Sequence, residues 1–204
     1  MQIRELGIPD SFEITPDQYR DERGVFLEWY RFDKMAAAVG HPLDLRQANT
    51  SVSKKGVVRG IHFADVPVGQ AKYVTVTNGA VLDYVIDVRA GSPTFGQWDS
   101  VLLDTEDRRA IYLGEGLGHA FVALTDDASV SYLVSDIYRS DKEHGINPLD
   151  QTIGLVFPSE AGEPLLSAKD VDAPSLEEAE AQGLLPRWED VRAFYASVNE
   201  QESR

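Results

Sequence analysis

The sequence predicts an all-β fold, an antiparallel sandwich or barrel with short helices at its C-terminal end. Three observations point there. From about residue 43 to 157 the chain breaks into short runs of β-formers: "GVVRGIHF", "AKYVTVTN", "AVLDYVIDVR", "WDSVLLD", "AIYLGEG", "HAFVALT" and "SVSYLVSDIY". Gly, Pro, Asn and Asp separate them at short intervals. Asn78-Gly79 lies between two alternating runs, which is the strongest short-range hairpin signal. Within "AVLDYVIDV", Val81, Asp83, Val85 and Asp87 share one face, and Leu82, Tyr84, Ile86 and Val88 the other. The second set reads as the core face.

The flanks differ from this centre. Residues 1–42 read as two strands around a turn at Asp21-Glu22-Arg23-Gly24, then a short helix in "RFDKMAAAVG" that ends at Gly40. Residues 158–204 form a tail. In "APSLEEAEAQGLLPRWEDVRAFYASV", Ser175 and Glu178 have capping-box spacing and Gly183 is a stop. A second helix starts near Pro186 and sets Trp188, Val191, Phe194 and Tyr195 on or near one face. No linker-like stretch divides the chain before about residue 158, so it reads as one domain of 204 residues with a C-terminal appendage.

Composition narrows the function. Thirty-four acidic residues against 19 basic give a net charge of −15, which repels nucleic acid and anionic membrane. A local cluster of cations in a cavity still binds an anion against that field, because distant charges are screened. No run of 18 apolar residues is present, and "MQIRELGIPD" lacks the pattern of a secretory signal. The absence of cysteine removes disulfides and thiolate ligands, and fits a reducing cytoplasm. The four histidines, His41, His62, His119 and His144, match none of the short metal-site spacings, so no metal is expected. Neither a GxSxG elbow nor a glycine-rich nucleotide loop occurs, and no cofactor is expected.

The stretch "VVRGIHF" carries the chemistry. Arg59 and His62 are three residues apart and would point to opposite faces of a regular strand. A bulge at Gly60 would turn both into one cavity. Lys72 opens the next strand and can face the same interior. His119 enters an apolar strand in "GLGHAFVAL", and Tyr132 shares a face with Val130 and Val134. Each has a plainer reading as a solvated or core residue. Together they suit proton abstraction beside a carbonyl: a base, cations for the enolate oxygen and an acid on the opposite face, with inversion of the carbon. Nearby positive charge is expected to lower the Tyr132 pKa. A carboxylate holding the other nitrogen of His62 would improve the base, but the residues alone do not single it out.

The motifs "DERGVFLEWY", "QANTSVSKKGVVRGIHF", "QAKYVTVTNGAVLDYVIDVRAGSPTFGQWDSVLLD", "YLGEGLGHAFVAL", "YLVSDIYRSDKEHGINPLD" and "PLLSAKDVDAPSL" span nearly the whole chain. Together they resemble the dTDP-4-dehydrorhamnose 3,5-epimerase family, and the tail "GLLPRW" resembles actinobacterial members. The resemblance implies a metal-free, cupin-like antiparallel jelly roll that forms a homodimer by exchanging a strand. It also implies roles for individual residues. Asp170 would orient the base His62, Tyr132 would be the acid, and Lys72 would stabilise the enolate oxygen. His119 would contact the sugar. Arg59, with Arg23 of the neighbouring subunit, would bind the pyrophosphate. Gln47, Asn49, Tyr138, Glu143 and Lys169 would line the nucleotide and sugar site, with Glu28 contributed across the dimer. The substrate would be a dTDP-4-keto-6-deoxyhexose, epimerised at C3 and C5. Epimerisation at one carbon in antibiotic-sugar synthesis, or sugar-nucleotide binding without catalysis, are the alternatives.

Overall fold

Alternating apolar residues give this chain strands too short to stand alone, and they are buried by folding two sheets face to face. The computed structural model describes residues 1–202. In chain order the elements are β1 (Gln2–Glu5), β2 (Ser11–Thr15), β3 (Gln18–Asp21), β4 (Gly24–Leu27), α1 (Phe32–Val39), β5 (Gln47–Ser53), β6 (Val58–Ala64) and β7 (Lys72–Asn78). There follow β8 (Ala80–Ile86), β9 (Trp98–Asp104), β10 (Ala110–Leu113), β11 (Gly118–Ala123), β12 (Ala128–Val134), β13 (Glu143–Gly145), α2 (Ala168–Val171), α3 (Leu176–Ala181) and α4 (Trp188–Glu202).

One sheet has the order β1-β2-β10-β7-β12-β5 and the other β13-β6-β11-β8-β9. The strands within both pair antiparallel. This is a jelly-roll sandwich. Strands β3 and β4 form a separate two-stranded ribbon that leaves Tyr19 and Phe26 exposed.

Three apolar layers hold the sandwich. Between the sheets, Val74, Val76 and Val130 meet Val81, Val85, Val101, Leu103 and Phe121. Outside the five-stranded sheet, Tyr84, Ile86, Ala120 and Val122 are covered by Ile153, Ala161, Leu176, Ala179 and Leu185. Outside the six-stranded sheet, Phe12, Tyr73 and Tyr112 pack with Met35 and Leu43. Fully burying one such side chain is worth about 1.5–3 kcal/mol. Met35 is the one buried residue of α1, so it anchors that helix. Among the described residues no helix is long and apolar enough to cross a membrane.

Two expectations are corrected. Asn78-Gly79 does not make a hairpin: β7 and β8 belong to different sheets. The turn's polar groups bond instead to the loop between β11 and β12, Asn78 Nδ2 to the Asp127 carbonyl and the Ala80 amide to Thr125 Oγ1, both at 3.0 Å. Gly79 has φ +73°, and a side chain there would press on Thr125 and Ala128. A positive-φ corner serves a sheet-to-sheet crossing as well as a hairpin. The second correction concerns β8, where both faces are core. Val81 and Val85 face the inner layer, while Tyr84 and Ile86 lie under the C-terminal segments. Strands β1, β5 and β13 have little apolar content and were not expected.

The tail holds three α-helices, α2, α3 and α4, where two short ones were expected, and α4 runs 15 residues. Ser175 and Glu178 form the reciprocal capping box of α3. Gly183, just past the end of α3, has φ +68°. Helix α3 does more than append to the barrel, since its Leu176 and Ala179 help to cover the outer face of the five-stranded sheet.

Candidate active site

The functional side chains gather because of one irregularity in β6. His62 pairs with His119 on β11, but Arg59 pairs with Phe121, so Gly60 and Ile61 share Ala120. The extra residue is the expected bulge, and Arg59 and His62 both line one cavity. Gly60 has φ +131°, and a Cβ on it would lie 2.6 Å from the Ala120 Cα. Only glycine passes so close to the neighbouring strand.

The cavity has a volume of about 600 Å³. Of the expected site residues, His62, Tyr132, Asp170, Lys72, Gln47, Asn49, Arg59, His119, Tyr138, Glu143 and Lys169 all line it. They come from β5, β6, β7, β11, β12, β13 and α2, and from the segment after β12. Arg23 and Glu28 do not. Arg23 lies in the turn of the exposed ribbon, paired with Asp21, and Glu28 pairs with Arg31.

His62 Nε2 is 2.7 Å from Asp170 Oδ1, across 108 residues of sequence. The other oxygen of Asp170 accepts a 2.7 Å hydrogen bond from Ser167 Oγ, and Ser167 also caps α2 by accepting from the Asp170 amide. Burial alone would raise the Asp170 carboxyl. The hydrogen bonds from His62 and Ser167 outweigh it, and hold the carboxyl below its ordinary value. A charged aspartate fixes Nε2–H as the donor, so Nδ1 keeps the lone pair of a base. The His62 side chain is 34% exposed, so it is open to a ligand.

The next strands of the same sheet, β11 and β8, make a drier wall. His119 Nε2 lies 3.0 Å from both oxygens of Asp83, which is fully buried. Burial raises the Asp83 carboxyl, and the nearby His119 and Lys72 only partly offset that. Lys72 is 9% exposed. Burial lowers its pKa, against the pull of Glu143 and Asp83. Among the described residues its ammonium has no hydrogen-bond or ion-pair partner, so its donors are available to an oxygen in the cavity.

Tyr132 sits on β12 between Asn49 of β5 and Val74 of β7. Its pKa is raised, not lowered as expected: burial outweighs the cation of Arg59, and Glu143 adds to the rise. The phenol therefore stays protonated at neutral pH, which suits a proton donor. Arg59 is steadied by Ser53, Nε to Oγ at 3.1 Å. Gln47 holds Asn49 Oδ1 at 2.7 Å and accepts from the Tyr138 amide at 3.0 Å.

Sequence reasoning missed four residues. Ser51 and Gln70 line the cavity, Ser167 holds Asp170, and Asp83 holds His119. A signal for Asp83 was present: an aspartate between Val81 and Val85 on an alternating face. It was read as the solvent side.

A two-sheet barrel whose cavity carries a His–Asp dyad, a buried lysine and a protonated tyrosine has the constitution of an acid–base enzyme. Comparison with known proteins gives the family. Residues 5–178 match the family model for dTDP-4-dehydrorhamnose 3,5-epimerase. The chain is 55% identical over 198 residues to the dTDP-4-dehydrorhamnose 3,5-epimerase of Mycolicibacterium smegmatis, covering 97% of each. It is also 55% identical to a dTDP-4-dehydrorhamnose 3-epimerase of Streptomyces niveus, covering 92% of this chain and 90% of that one. The structure superposes on that of an epimerase from Mycobacterium tuberculosis with a TM-score of 0.95 and 50% identity, covering 97% of this chain and 100% of the other. The chain belongs to the dTDP-4-dehydrorhamnose 3,5-epimerase family, and is an isomerase of the cupin-like jelly-roll type.

Proposed function

We propose that the enzyme converts dTDP-4-dehydro-6-deoxy-D-glucose to dTDP-4-dehydro-L-rhamnose by inverting C3 and C5. Both carbons flank the C4 ketone, so one enolising site serves both. His62, held by Asp170, takes the α-proton at Nδ1. Charge moves onto the C4 oxygen, where Lys72 receives it. Tyr132 returns a proton from the other face, and the carbon is inverted. Arg59 and Lys169 offer positive charge to the diphosphate, while Gln47, Asn49, Tyr138, Glu143 and His119 orient the nucleotide and sugar. The observation that carries this reading is the convergence of the His62–Asp170 dyad, Lys72 and Tyr132 on one cavity.

The homodimer belongs to this reading. Arg23 and Glu28 stand away from their own cavity, on or beside a ribbon that exposes Tyr19 and Phe26. We assign them to the neighbouring subunit's site. An active monomer in sedimentation at assay concentration would remove that assignment. The surface charge and the small-molecule substrate fit a cytoplasmic enzyme without nucleic-acid or membrane partners.

A second reading is inversion at one carbon only. The 55% identity to a protein named as a 3-epimerase favours it. Product analysis separates the two: substrate is treated with the enzyme, reduced at C4 with borohydride, and the sugars are compared with standards. Rhamnose in the L-series supports double inversion. A product changed at C3 or C5 alone assigns the single-centre reaction, and unchanged substrate contradicts both.

A further inference from the structure

The C-terminal helix α4 is tied to the barrel by a buried polar chain that ends one residue before Lys72. We propose that Tyr195, Glu115 and Ser135 are positioning residues, through which α4 sets the place of the Lys72 ammonium in the cavity. This rests on the reading of Lys72 as the group that receives the enolate charge.

The chain can be followed atom by atom. Tyr195 Oη accepts from the Glu115 amide at 2.9 Å and donates to Glu115 Oε2 at 2.8 Å. Glu115 Oε1 accepts from Ser135 Oγ at 3.3 Å. Ser135 Oγ accepts from the Ala71 amide at 2.8 Å, and the Ser135 amide donates to the Ala71 carbonyl at 3.1 Å. Ala71 is thereby fixed on both sides of its peptide. Its neighbours Gln70 and Lys72 are both cavity residues.

The helix end of the chain is equally fixed. Val191 is fully buried, and Tyr195 lies against His41 with ring centroids 4.9 Å apart. Two guanidiniums lie over the Trp188 ring, Arg89 at 4.5 Å and Arg192 at 4.2 Å from its centroid. Arg192 also pairs with Asp10.

Attaching a helix does not need such a chain. Glu115 is 4% exposed, and burying a carboxylate costs more than apolar packing would. What a hydrogen-bonded chain adds is a fixed position. Lys72 lacks a hydrogen-bond partner among the described residues, so the strand end that Ala71 begins sets where its ammonium stands. Displacing a reacting group by about 1 Å costs ~100-fold in rate, and a fraction of that displacement is expected here.

The test is a double-mutant cycle on the full-length enzyme. Tyr195→Phe keeps the ring and removes the hydroxyl, and Ser135→Ala cuts the chain without touching α4. Each is made in the native and in the Lys72→Ala background, with rates read from solvent-deuterium entry into substrate. In the native background we expect kcat to fall about 5- to 20-fold with KM within about twofold. The two changes together should cost no more than the larger alone. In the Lys72→Ala background each should cost less than about twofold. An equal loss in both backgrounds, or wild-type kcat in both variants, overturns the proposal. If Tyr195→Phe does not fold, Ser135→Ala decides by the same criteria. A Lys72→Ala enzyme with wild-type rate would instead remove the reading of Lys72 itself, before α4 is considered.

Discussion

His62 and His119 stand opposite each other on β6 and β11, and each meets an aspartate through Nε2, at 2.7 Å and 3.0 Å. The two pairs share a composition and differ in surroundings. Asp170 is held on α2, with a serine on its second oxygen and its carboxyl below the ordinary range. Asp83 is sealed on β8 with its carboxyl raised by burial. His62 is about a third exposed, while His119 is 10% exposed. The same two side chains therefore make an accessible base held by a charged carboxylate in one place and a rigid, dry contact in the other. Environment, not composition, separates the roles.

Exchanging the histidines should break this comparison most clearly. His62→Asn is expected to lower kcat ~10³- to 10⁴-fold while dTDP still binds within a few-fold of wild type, measured by calorimetry. His119→Asn should cost ~10- to 100-fold and act on KM as well as kcat, as a substrate contact does. Equal losses for the two would erase the distinction.

The aspartates come next. Asp170→Asn leaves the shape but lets the ring rotate and take the wrong tautomer, so kcat should fall ~10²- to 10³-fold. Asp83→Asn should cost only about 10-fold, because its partner does not move the proton.

The smallest expected effect is on stability, and it differs in sign. The folded pKa of Asp170 lies below its ordinary 3.8. Its contribution is therefore full above 3.8 and lost as pH falls through the folded value. Asp83 has a folded pKa above 3.8. Its contribution is full below 3.8 and lost as pH rises through the folded value. In urea titrations, wild type should thus gain on Asp170→Asn as pH rises from acid to neutral, and lose ground to Asp83→Asn. Parallel pH profiles for the two variants would contradict the assigned environments.

How far the sequence carried the reading depends on distance along the chain. Arg59, Gly60 and His62 were legible because a cation, a glycine and an imidazole interrupt one β-run, and the bulge follows from spacing alone. Asp170 was not legible from residues, since nothing local links it to a histidine 108 positions away. Family resemblance supplied it. Asn78-Gly79 misled because a positive-φ turn looks the same whether the chain returns to its own sheet or crosses to the other. Asp83 was visible but placed on the wrong side, since a strand buried on both faces defeats a rule built on one buried face. Tyr132 was placed correctly and its shift was not, because burial outweighs the charge nearby. The Tyr195–Glu115–Ser135 chain joins segments as far as 80 residues apart, and no pattern of spacing announces it.

The central claim is that His62 removes the proton beside the C4 ketone. Its most direct test is deuterium entry at C3 and C5 of dTDP-4-dehydro-6-deoxyglucose in deuterated water, followed by NMR, for wild type and His62→Asn. The account predicts exchange at both carbons with wild type, and exchange slowed ~10³- to 10⁴-fold with His62→Asn. Undiminished exchange in the variant would contradict it, as would an absence of exchange in the wild type.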